Sequence, residues 1–288
     1  MQIYIDGQYL DENNAKISVF DHGLLYGDGV FEGIRIYNKR VFKLDEHLKR
    51  LYGGAKVIML DVPLSVEKMR EAVIETVRRN DLSDGYVRLV VTRGRGDLGL
   101  NPVKCPKPTV IIIADTIKIY PDEIYQNGMK VVTVSTRRNM IEALNPRIKS
   151  LNYLNNIMAT LEVNRTDAQE GLMLNADGFV TECIVDNFFL VDQGIVLTPP
   201  TSMGALKGIT RDTVVELARE AGYKVEEKIL TLHDVYVADE SFLTGTAAEI
   251  APICCVDERL INDGKPGPVT LDLMRLFKEY AHSNGAEV

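Results

Sequence analysis

The sequence contains no tryptophan, only four cysteines and only four histidines among its 288 residues, and this scarcity argues against several kinds of site. The cysteines form no CxxC pair, and a chain of this length does not depend on disulfides for its core, so we expect reduced thiols. No two histidines have the spacing of metal ligands, such as HxxxH. We therefore expect no metal site.

The chain also lacks a basic surface and a long apolar run. Its formal net charge is -8, and its lysines and arginines are scattered rather than clustered. Nucleic acid is therefore not an expected partner. No apolar run approaches the roughly 18 residues that cross a membrane, and the first residues lack the pattern of a signal peptide. We expect a cytoplasmic protein without a membrane partner.

Length and composition point to two globular domains. The chain has 288 residues, of which 45% are hydrophobic and 26% charged, and one domain per roughly 100 to 200 residues predicts two. The apolar pattern stops in the polar stretch around Pro121 and resumes at Val131. We therefore predict a small N-terminal domain over 1–117, an interdomain linker over 118–130 and a larger C-terminal domain over 131–288.

Apolar spacing predicts mixed α and β structure in the first half of the chain. Residues 34–44 alternate around Asn38 and Lys39, which predicts a hairpin, and Asp45 is the expected N-cap of the helix that follows. The other elements predicted in this half are a helix that begins after Ser65 and ends near Asn80, and strands over 86–92 and 109–114.

The second half is also predicted to be mixed. One helical face is shared by Val214, Leu217, Ala218 and Ala221, and Gly222 ends the pattern, so a helix is predicted from Ile209 or Thr210 to about Ala221. The remaining elements predicted here are a helix over 151–165, strands over 171–174, 179–183, 188–191 and 241–244, and a final amphipathic helix over 269–281.

The segment from Gly94 to Gly99 spells GxGxxG directly after a predicted strand and raises the alternative of a nicotinamide-dependent oxidoreductase. That motif needs a helix whose N-terminus meets a pyrophosphate. Here Pro102, Pro106 and Pro108 follow, and prolines at these places break any helix. The glycines are better explained as part of a loop that connects strands.

One lysine is distinguished by its neighbours rather than by its own chemistry. Among 33 lysines and arginines, any single lysine is by default a solvated surface charge. The segment from Pro146 to Asn156, PRIKSLNYLNN, resembles the cofactor-lysine segment of the fold-type-IV pyridoxal-phosphate aminotransferases. The resemblance implies that Lys149 forms a Schiff base with pyridoxal 5'-phosphate and that Tyr153 lies beside the cofactor.

Two further residues match this family in their order along the chain. Glu182 matches the glutamate that the family holds against the pyridine nitrogen of the cofactor, although Cys183 follows here where a glycine is usual. Arg50 matches the family's phosphate-binding arginine, and His47, three residues earlier on the same helix face, suits an orienting role.

A glycine-containing turn matches the family's phosphate-binding segment. In LKGITRD a glycine precedes a predicted helix N-terminus, where free N–H groups and the helix dipole suit an anion. A plain capped helix would explain the same residues without a ligand. The resemblance implies cofactor contacts from four residues, Leu206, Gly208, Ile209 and Thr210.

A second turn, in TGTAAE, matches a segment that binds both cofactor and substrate in the family. The resemblance implies that Thr246 binds the phosphate and that the backbone amides of Thr246 and Ala247 receive the substrate carboxylate, as successive amides in a turn can do. An ordinary turn after a strand is the alternative.

The segment from Asp21 to Arg35 closely resembles bacterial and archaeal branched-chain amino acid aminotransferases. Tyr86 and Arg88 are two apart on a predicted strand and so face the same side, and they match a Tyr-x-Arg pair with which these enzymes accept glutamate as well as leucine. Aromatic walls bury an aliphatic side chain, while a guanidinium binds a distal carboxylate. The implied substrate-binding residues in the first segment are Tyr26, Phe31, Gly33 and Arg35.

The resemblance implies a fold class as well as an activity. The expected fold is α+β, mixed α/β in content, with the two-domain architecture of fold-type-IV aminotransferases that is also called D-amino acid aminotransferase-like. The expected activity is transamination of L-leucine, L-isoleucine and L-valine with 2-oxoglutarate, which gives branched 2-oxo acids and L-glutamate. The expected assembly is a homodimer or a larger oligomer built of dimers.

Three alternatives to this activity stay open beside the nicotinamide enzyme. A D-amino acid aminotransferase of the same fold would typically carry an Arg-x-His carboxylate trap where this chain reads Arg95-Gly96-Asp97. A chorismate-derived lyase is a second alternative, and a non-catalytic cofactor carrier is the third. The presence of Lys149 and Glu182 argues against the carrier.

Overall fold

Two sheets organise the described part of the chain, one of seven strands and one of nine. The computed structural model describes residues 1–117 and 120–288. The chain separates into two compact units, of which the first contains residues 1–117, 148–152 and 281–288 and the second contains residues 118–147 and 153–280.

Strands and helices mix throughout, which confirms the predicted α+β content. Up to residue 117 the elements are β1 (Gln2–Ile5), β2 (Gln8–Asp11), α1 (His22–Tyr26), β3 (Gly29–Tyr37), β4 (Arg40–Val41), α2 (Leu44–Val57), α3 (Val66–Arg79), β5 (Gly85–Thr92), a 3-10 helix (Pro102–Lys104) and β6 (Thr109–Asp115). From residue 120 onward they are α4 (Asp122–Asn127), β7 (Met129–Thr133), α5 (Leu154–Val163), β8 (Glu170–Leu174), β9 (Val180–Cys183), β10 (Asn187–Asp192), β11 (Ile195–Thr198), a 3-10 helix (Thr201–Met203), α6 (Ile209–Glu220), β12 (Lys224–Glu227), α7 (Leu232–Tyr236), β13 (Glu240–Gly245), β14 (Glu249–Val256), β15 (Arg259–Leu260), α8 (Pro268–Ser283) and β16 (Ala286–Glu287).

The seven-stranded sheet of the first unit has the order β16-β4-β3-β5-β6-β1-β2. Val30 and Ile34 of β3 share a buried apolar cluster with Leu48 of α2 and Met69 of α3. Because successive side chains of a strand alternate between faces, one face of β3 packs against these helices. The other face of β3 carries Phe31, Gly33 and Arg35, which are among the predicted substrate residues.

The entry into α2 differs from the prediction. The helix begins at Leu44 with Lys43 at its N-cap, so the prediction that Asp45 is the N-cap is wrong. Lys43 has a left-handed φ of 49°, which turns the chain out of the hairpin and into the helix two residues earlier than expected. Asp45 lies in the first turn instead, where its charge complements the helix dipole.

Other predicted features of the first unit are confirmed. Asn38 and Lys39 form the hairpin turn with φ of 48° and 60°. The helix predicted after Ser65 begins there, and the Ser65 hydroxyl accepts a hydrogen bond from the backbone N–H of Lys68. After β5 the described chain continues as a loop and the 3-10 helix that begins at Pro102, so no α-helix follows the GxGxxG segment within 93–117.

The nine-stranded sheet of the second unit has the order β12-β11-β10-β13-β14-β7-β8-β9, and β15 pairs with β14. The predicted helix over 209–221 corresponds to α6, and Gly222 follows it with φ of 89°. The strand predicted over 241–244 corresponds to β13, and the final predicted helix corresponds to α8.

The helix predicted over 151–165 is shorter than expected, because α5 spans only Leu154–Val163. The backbone N–H of Phe31 donates to the carbonyl of Lys149 at 2.9 Å, and the N–H of Leu151 donates to the carbonyl of Gly29 at 3.0 Å. Residues 149–151 therefore run beside β3, and these hydrogen bonds delay the start of the helix.

The predicted linker, 118–130, contains α4 and the start of β7, and its first two residues lie outside the described residues. Among the residues that the structure describes, no helix is both long and apolar enough to span a membrane.

Candidate active site

Lys149 lies in a short segment beside β3. Ser150 forms an isolated bridge with Val30, and the carbonyl of Lys149 accepts the N–H of Phe31. These backbone bonds place the Lys149 side chain against Phe31, with Nζ 4.7 Å from the centre of the aromatic ring. The predicted cofactor lysine and a predicted substrate residue are therefore neighbours within the first unit.

One face of the β3–β5 pair gathers most of the predicted substrate residues. In the antiparallel register Gly33 lies opposite Arg88, and Arg35 lies opposite Tyr86. Because residues directly opposite each other share a face, these four side-chain positions and that of Phe31 lie on the same side of the sheet. The Arg88 guanidinium carbon is 4.7 Å from the centre of the Phe31 ring and 5.6 Å from that of Tyr86.

Gly33 makes room for Tyr86 on this face. A Cβ atom at Gly33 would lie 1.9 Å from the Tyr86 hydroxyl, far inside any allowed contact. The neighbouring Val87 and Leu89 are fully buried, as the alternation along the strand predicts, while Tyr86 is half-buried and Arg88 exposed. The glycine therefore fixes where the tyrosine ring can lie.

The opposite face of β3 holds a buried charged cluster. Glu32 is completely buried and accepts two hydrogen bonds from Arg50, from Nε to Oε1 and from Nη2 to Oε2, each at 2.7 Å. His47 Nδ1 lies 2.7 Å from Glu32 Oε2 and, because a carboxylate only accepts, it is the donor. His47 therefore contacts Glu32, which in turn binds Arg50, and an orienting role for His47 stays a prediction.

Burial and charge shift the titration of this cluster. Burial alone would raise the pKa of Glu32, but the Arg50 charge and its hydrogen bonds, helped by His47, lower that pKa to about 2. Burial lowers the pKa of His47, and the positive charges of Arg50 and Lys149 act in the same direction against the attraction of Glu32. The cluster therefore holds an ionised glutamate and a neutral histidine near neutral pH.

Tyr26 is positioned by its hydrogen bond to a loop. It lies at the end of α1, and its hydroxyl donates to the carbonyl of Leu98 in the loop after β5. His22 holds the same loop, because its Nε2 lies 2.8 Å from the carbonyl oxygen of Asp97. Of the four substrate residues predicted in the first segment, Tyr26 is the one whose described contacts are with this loop.

Glu182 lies on β9 and is surrounded by three donors within the second unit. Arg138 Nε donates to Oε1 at 2.7 Å. The backbone N–H of Leu206 and the side-chain amide of Asn187 donate to Oε2 at 2.9 Å and 3.2 Å. Glu182 is 4% exposed and Arg138 7% exposed, so this is a buried ion pair. The structure thereby joins two predicted cofactor residues, Glu182 and Leu206.

The unusual segment after Glu182 forms a tight, anchored turn. The N–H of Cys183 donates to the carbonyl of Asp186 at 2.8 Å, and the N–H of Ile184 donates to the carbonyl of Gly171 at 3.1 Å. The Asn156 side chain donates to the carbonyl of Ile184. A glycine is therefore not needed to make this turn.

The predicted phosphate turn is a helix N-terminus without a side-chain cap. Gly208 is the N-cap of α6, and no side chain in the described part of the chain caps this helix. The amides of Ile209 and Thr210 lie in its first turn, where backbone N–H groups have no partner within the helix. A Cβ at Gly208 would lie 2.0 Å from Asn187 Oδ1, so the side chain that binds Glu182 also packs on this turn.

The remaining predicted residues lie at element ends of the second unit. Thr246 and Ala247 occupy the turn between β13 and β14. Thr244, just before that turn, has a buried hydroxyl with no hydrogen-bond partner among the described residues. Tyr153 is the N-cap residue of α5.

Three residues of these clusters were missed from the sequence: Glu32, Arg138 and Asn187. Glu32 had a usable signal, because a carboxylate between Val30 and Ile34 on an inward-facing strand position is rarely buried without a partner. Arg138 had none, since it lies in a loop 44 residues before Glu182 in the sequence.

The chemistry of these residues fits pyridoxal phosphate. In the first unit the Arg50 guanidinium is a group that suits a phosphate, and in the second unit the uncapped N-terminus of α6 is another. A buried carboxylate suits a protonated ring nitrogen, as at Glu182, and a primary amine suits an aldehyde, as at Lys149.

Comparison with known proteins agrees with this reading. A model of the family "Amino-transferase class IV" matches residues 29–256. A protein from Methanocaldococcus jannaschii is 51% identical over 288 residues, which are 100% of this chain and 99% of that protein. The solved structure of the Escherichia coli branched-chain amino acid aminotransferase has a TM-score of 0.95 at 34% identity, over 99% of this chain and 95% of that one. That of the T.th. branched-chain amino acid aminotransferase with pyridoxamine 5'-phosphate has a TM-score of 0.94 at 36% identity, over 98% and 94%. The predicted fold-type-IV architecture is confirmed.

Proposed function

The chain belongs to the class IV aminotransferase family, and from this premise we propose that it transfers the amino group of L-leucine, L-isoleucine and L-valine to 2-oxoglutarate. The products are branched 2-oxo acids and L-glutamate, and the cofactor is pyridoxal 5'-phosphate. The observation that carries the proposal is the Lys149 amine, 4.7 Å from the centre of the Phe31 ring on the sheet face that also bears Tyr86 and Arg88.

Lys149 is the catalytic residue of this proposal. When bound, pyridoxal phosphate supplies an aldehyde for an amine and a ring that withdraws electrons from the substrate α carbon. Lys149 Nζ would remove the proton from that carbon and pass it to the cofactor, as the transfer of the amino group requires. Packing against Phe31 limits the positions open to the Lys149 side chain, which keeps its amine ready for both steps.

Two charged residues orient the cofactor. Arg50 would bind the phosphate, and its two hydrogen bonds to Glu32 fix the plane of its guanidinium. Glu182 would accept the N–H of the pyridine ring and so favour a protonated nitrogen. The other cofactor contacts are assigned to Tyr153, Leu206, Gly208, Ile209, Thr210 and Thr246.

The same substrate site accepts two kinds of side chain. Phe31 and Tyr26 cover the aliphatic side chain of leucine, for which burial of apolar surface provides the affinity. Arg35 and Arg88 supply guanidinium groups for the distal carboxylate of glutamate or 2-oxoglutarate. Tyr86 packs beside Arg88 in the space that Gly33 leaves, and the amides of Thr246 and Ala247 receive the substrate carboxylate.

The working form is proposed to be a homodimer or a larger assembly of dimers. One stripe of α5 exposes four apolar side chains, and residues three and four apart lie on one helical face. Such a patch on a soluble protein marks an interaction surface, and the occupant proposed here is a second copy of this chain. The four residues and their exposed fractions are Leu154 (70%), Ile157 (53%), Met158 (49%) and Leu161 (48%).

A cytoplasmic location is part of the same proposal. All four cysteines are unpaired thiols. Free thiols are the usual state of cysteines in a reducing compartment such as the cytoplasm.

Steady-state kinetics test the activity. Purified protein with pyridoxal phosphate, L-leucine and 2-oxoglutarate should form L-glutamate, with parallel double-reciprocal lines because each substrate reacts in a separate half-reaction. D-Alanine should be inert as the amino donor. Turnover of D-alanine but not of L-leucine would contradict the proposed stereochemistry, and activity that needs a nicotinamide cofactor would favour the oxidoreductase.

A further inference from the structure

The hydrogen bonds of Glu182 leave one acceptor position for the cofactor. A carboxylate has about four lone-pair sites. Three are used within the second unit, by Arg138 Nε on Oε1 and by Leu206 N and Asn187 Nδ2 on Oε2. The remaining site lies on Oε1, the oxygen that Arg138 also binds. In the proposed function, Oε1 therefore accepts two hydrogen bonds, one from the positively charged Arg138 guanidinium and one from the ring N–H of the cofactor.

Arg138 is held in place for this contact. Its Nη1 donates to Asn155 Oδ1 at 3.3 Å, and the Asn155 side chain in turn donates to the carbonyl of Arg137 at 2.8 Å. The backbone N–H of Arg138 donates to the carbonyl of Leu174 at 2.9 Å. Both ends of the residue are thus anchored, so the guanidinium is fixed next to Glu182 rather than adapting to it.

Electrostatics then decide where a shared proton resides. The proton between Glu182 and the ring nitrogen has two positions, on the nitrogen beside a carboxylate or on the carboxyl group beside a neutral ring. Both arrangements have the same total charge, but only the first places a negative charge on Glu182. The Arg138 guanidinium is 2.7 Å from that carboxylate and is buried with it, so it stabilises the first arrangement.

We propose that Arg138 is a positioning residue for the reaction: it keeps Glu182 negatively charged and thereby keeps the shared proton on the ring nitrogen. This inference rests on the proposed function. A protonated ring withdraws electrons from the substrate α carbon, and a neutral ring does so less well. The Arg138 side chain contacts Glu182 and Asn155, and its effect on the reaction is exerted through Glu182.

The test is the nitrogen-15 NMR signal of ring-labelled pyridoxal phosphate bound to four forms of the protein. The forms are the wild type, Arg138→Gln, Arg138→Lys and Arg137→Gln. Arg137 is the exposed neighbour of Arg138 and provides the matched control. The free cofactor at low and high pH gives the reference signals of the protonated and neutral ring. Cofactor affinity is measured on the same samples by equilibrium titration.

The wild type and Arg137→Gln should show the protonated signal, and Arg138→Gln should move toward the neutral one. The Arg138→Gln variant should also bind the cofactor about tenfold more weakly, the scale expected when a hydrogen bond to a charged group is lost. Arg138→Lys keeps the charge and should keep the protonated signal, and it serves as the deciding variant if Arg138→Gln does not fold. An Arg138→Lys signal at the neutral position would overturn the inference.

The proposed function and this inference fail in different ways. A wild type that gives no bound-cofactor signal would contradict the function, and the inference would fail with it. A wild type with a protonated ring whose signal and affinity are unchanged in Arg138→Gln would overturn the inference alone.

Discussion

Arg50 and Glu32 form a two-point ion pair in which Nε and Nη2 each donate to a different carboxylate oxygen at 2.7 Å. The pair lies on the helix-facing side of β3, whereas Lys149 packs on Phe31 on the other side. A single strand therefore connects the proposed phosphate-binding arginine with the proposed catalytic lysine through adjacent residues, Phe31 and Glu32. Changes in the buried cluster should be detectable at the site.

The first prediction concerns acid stability and His47. Burial lowers the pKa of His47 in the folded protein. Below about pH 6.5, His47 is therefore protonated in the unfolded chain but stays neutral in the folded protein. This contribution to stability is complete above pH 6.5 and is lost as pH falls, by at most about 1.4 kcal/mol per pH unit. Between pH 7 and 5 the thermal midpoint of the wild type should fall more steeply than that of His47→Gln.

The matched control for this prediction is His233→Gln, because His233 is exposed. Its pH dependence should parallel that of the wild type. Subtracting the curve of thermal midpoint against pH of His47→Gln from that of the wild type removes the contributions that both proteins share. One of these comes from Glu170, whose pKa burial raises to about 7. Parallel curves for the wild type and His47→Gln would contradict the account of this cluster.

The second prediction uses two glycines of the first unit. Gly33→Ala should lower kcat/KM for L-leucine by about ten- to a hundredfold, because the new Cβ displaces the Tyr86 hydroxyl and with it a wall of the site. The fold should survive, since the displaced atom is the end of a side chain. Gly53→Ala is the control: nothing lies within 4 Å of its Cβ position in α2. It should leave kcat/KM unchanged and add up to about 1 kcal/mol of stability. Equal kinetics for both variants would refute the role of Gly33.

The third prediction separates the two substrates. Arg88→Gln should lower kcat/KM for 2-oxoglutarate about tenfold or more, because a hydrogen bond to a charged group is lost. The value for L-leucine should change by less than about threefold, since its side chain carries no charge to bind. Arg88→Lys keeps the charge without the planar fork and should lie between the wild type and Arg88→Gln. Equal losses for both substrates would show that Arg88 does not recognise the distal carboxylate.

The fourth prediction concerns the apolar stripe of α5. Ile157→Glu places a charge in the centre of the proposed contact between copies and should lower the molar mass measured by light scattering. Gln126→Glu introduces a negative charge at an exposed position of another helix, α4, and should leave the mass unchanged. A monomeric wild type, or an assembly insensitive to Ile157→Glu, would contradict the proposed interface.

Local features of the fold followed well from the sequence. The hairpin at Asn38, the helix after Ser65 and the helix before Gly222 are set by residues within a few positions of each other. The shared face of Tyr86 and Arg88 followed from strand alternation alone. The mistaken N-cap at Asp45 is of a different kind, because the left-handed turn at Lys43 carries no sequence signal.

Features that depend on distant contacts did not follow from the sequence. The late start of α5 results from hydrogen bonds between residues 149–151 and β3. The ion pair of Arg138 with Glu182 joins residues 44 positions apart, and the one between Arg50 and Glu32 joins a helix to a strand. The resemblance to a family supplied residues that match its motifs, but not the partners that orient them.

The central claim is that Lys149 is the amine that holds pyridoxal phosphate, and the visible absorption spectrum tests it most directly. Protein incubated with the cofactor and then freed of excess should show a yellow band that fades on addition of L-leucine but not of D-alanine. Lys149→Ala should lack this response, while Lys56→Ala, which changes an exposed lysine of α2, should behave as the wild type. A Lys149→Ala protein that keeps the same band and loses it with L-leucine would contradict the claim.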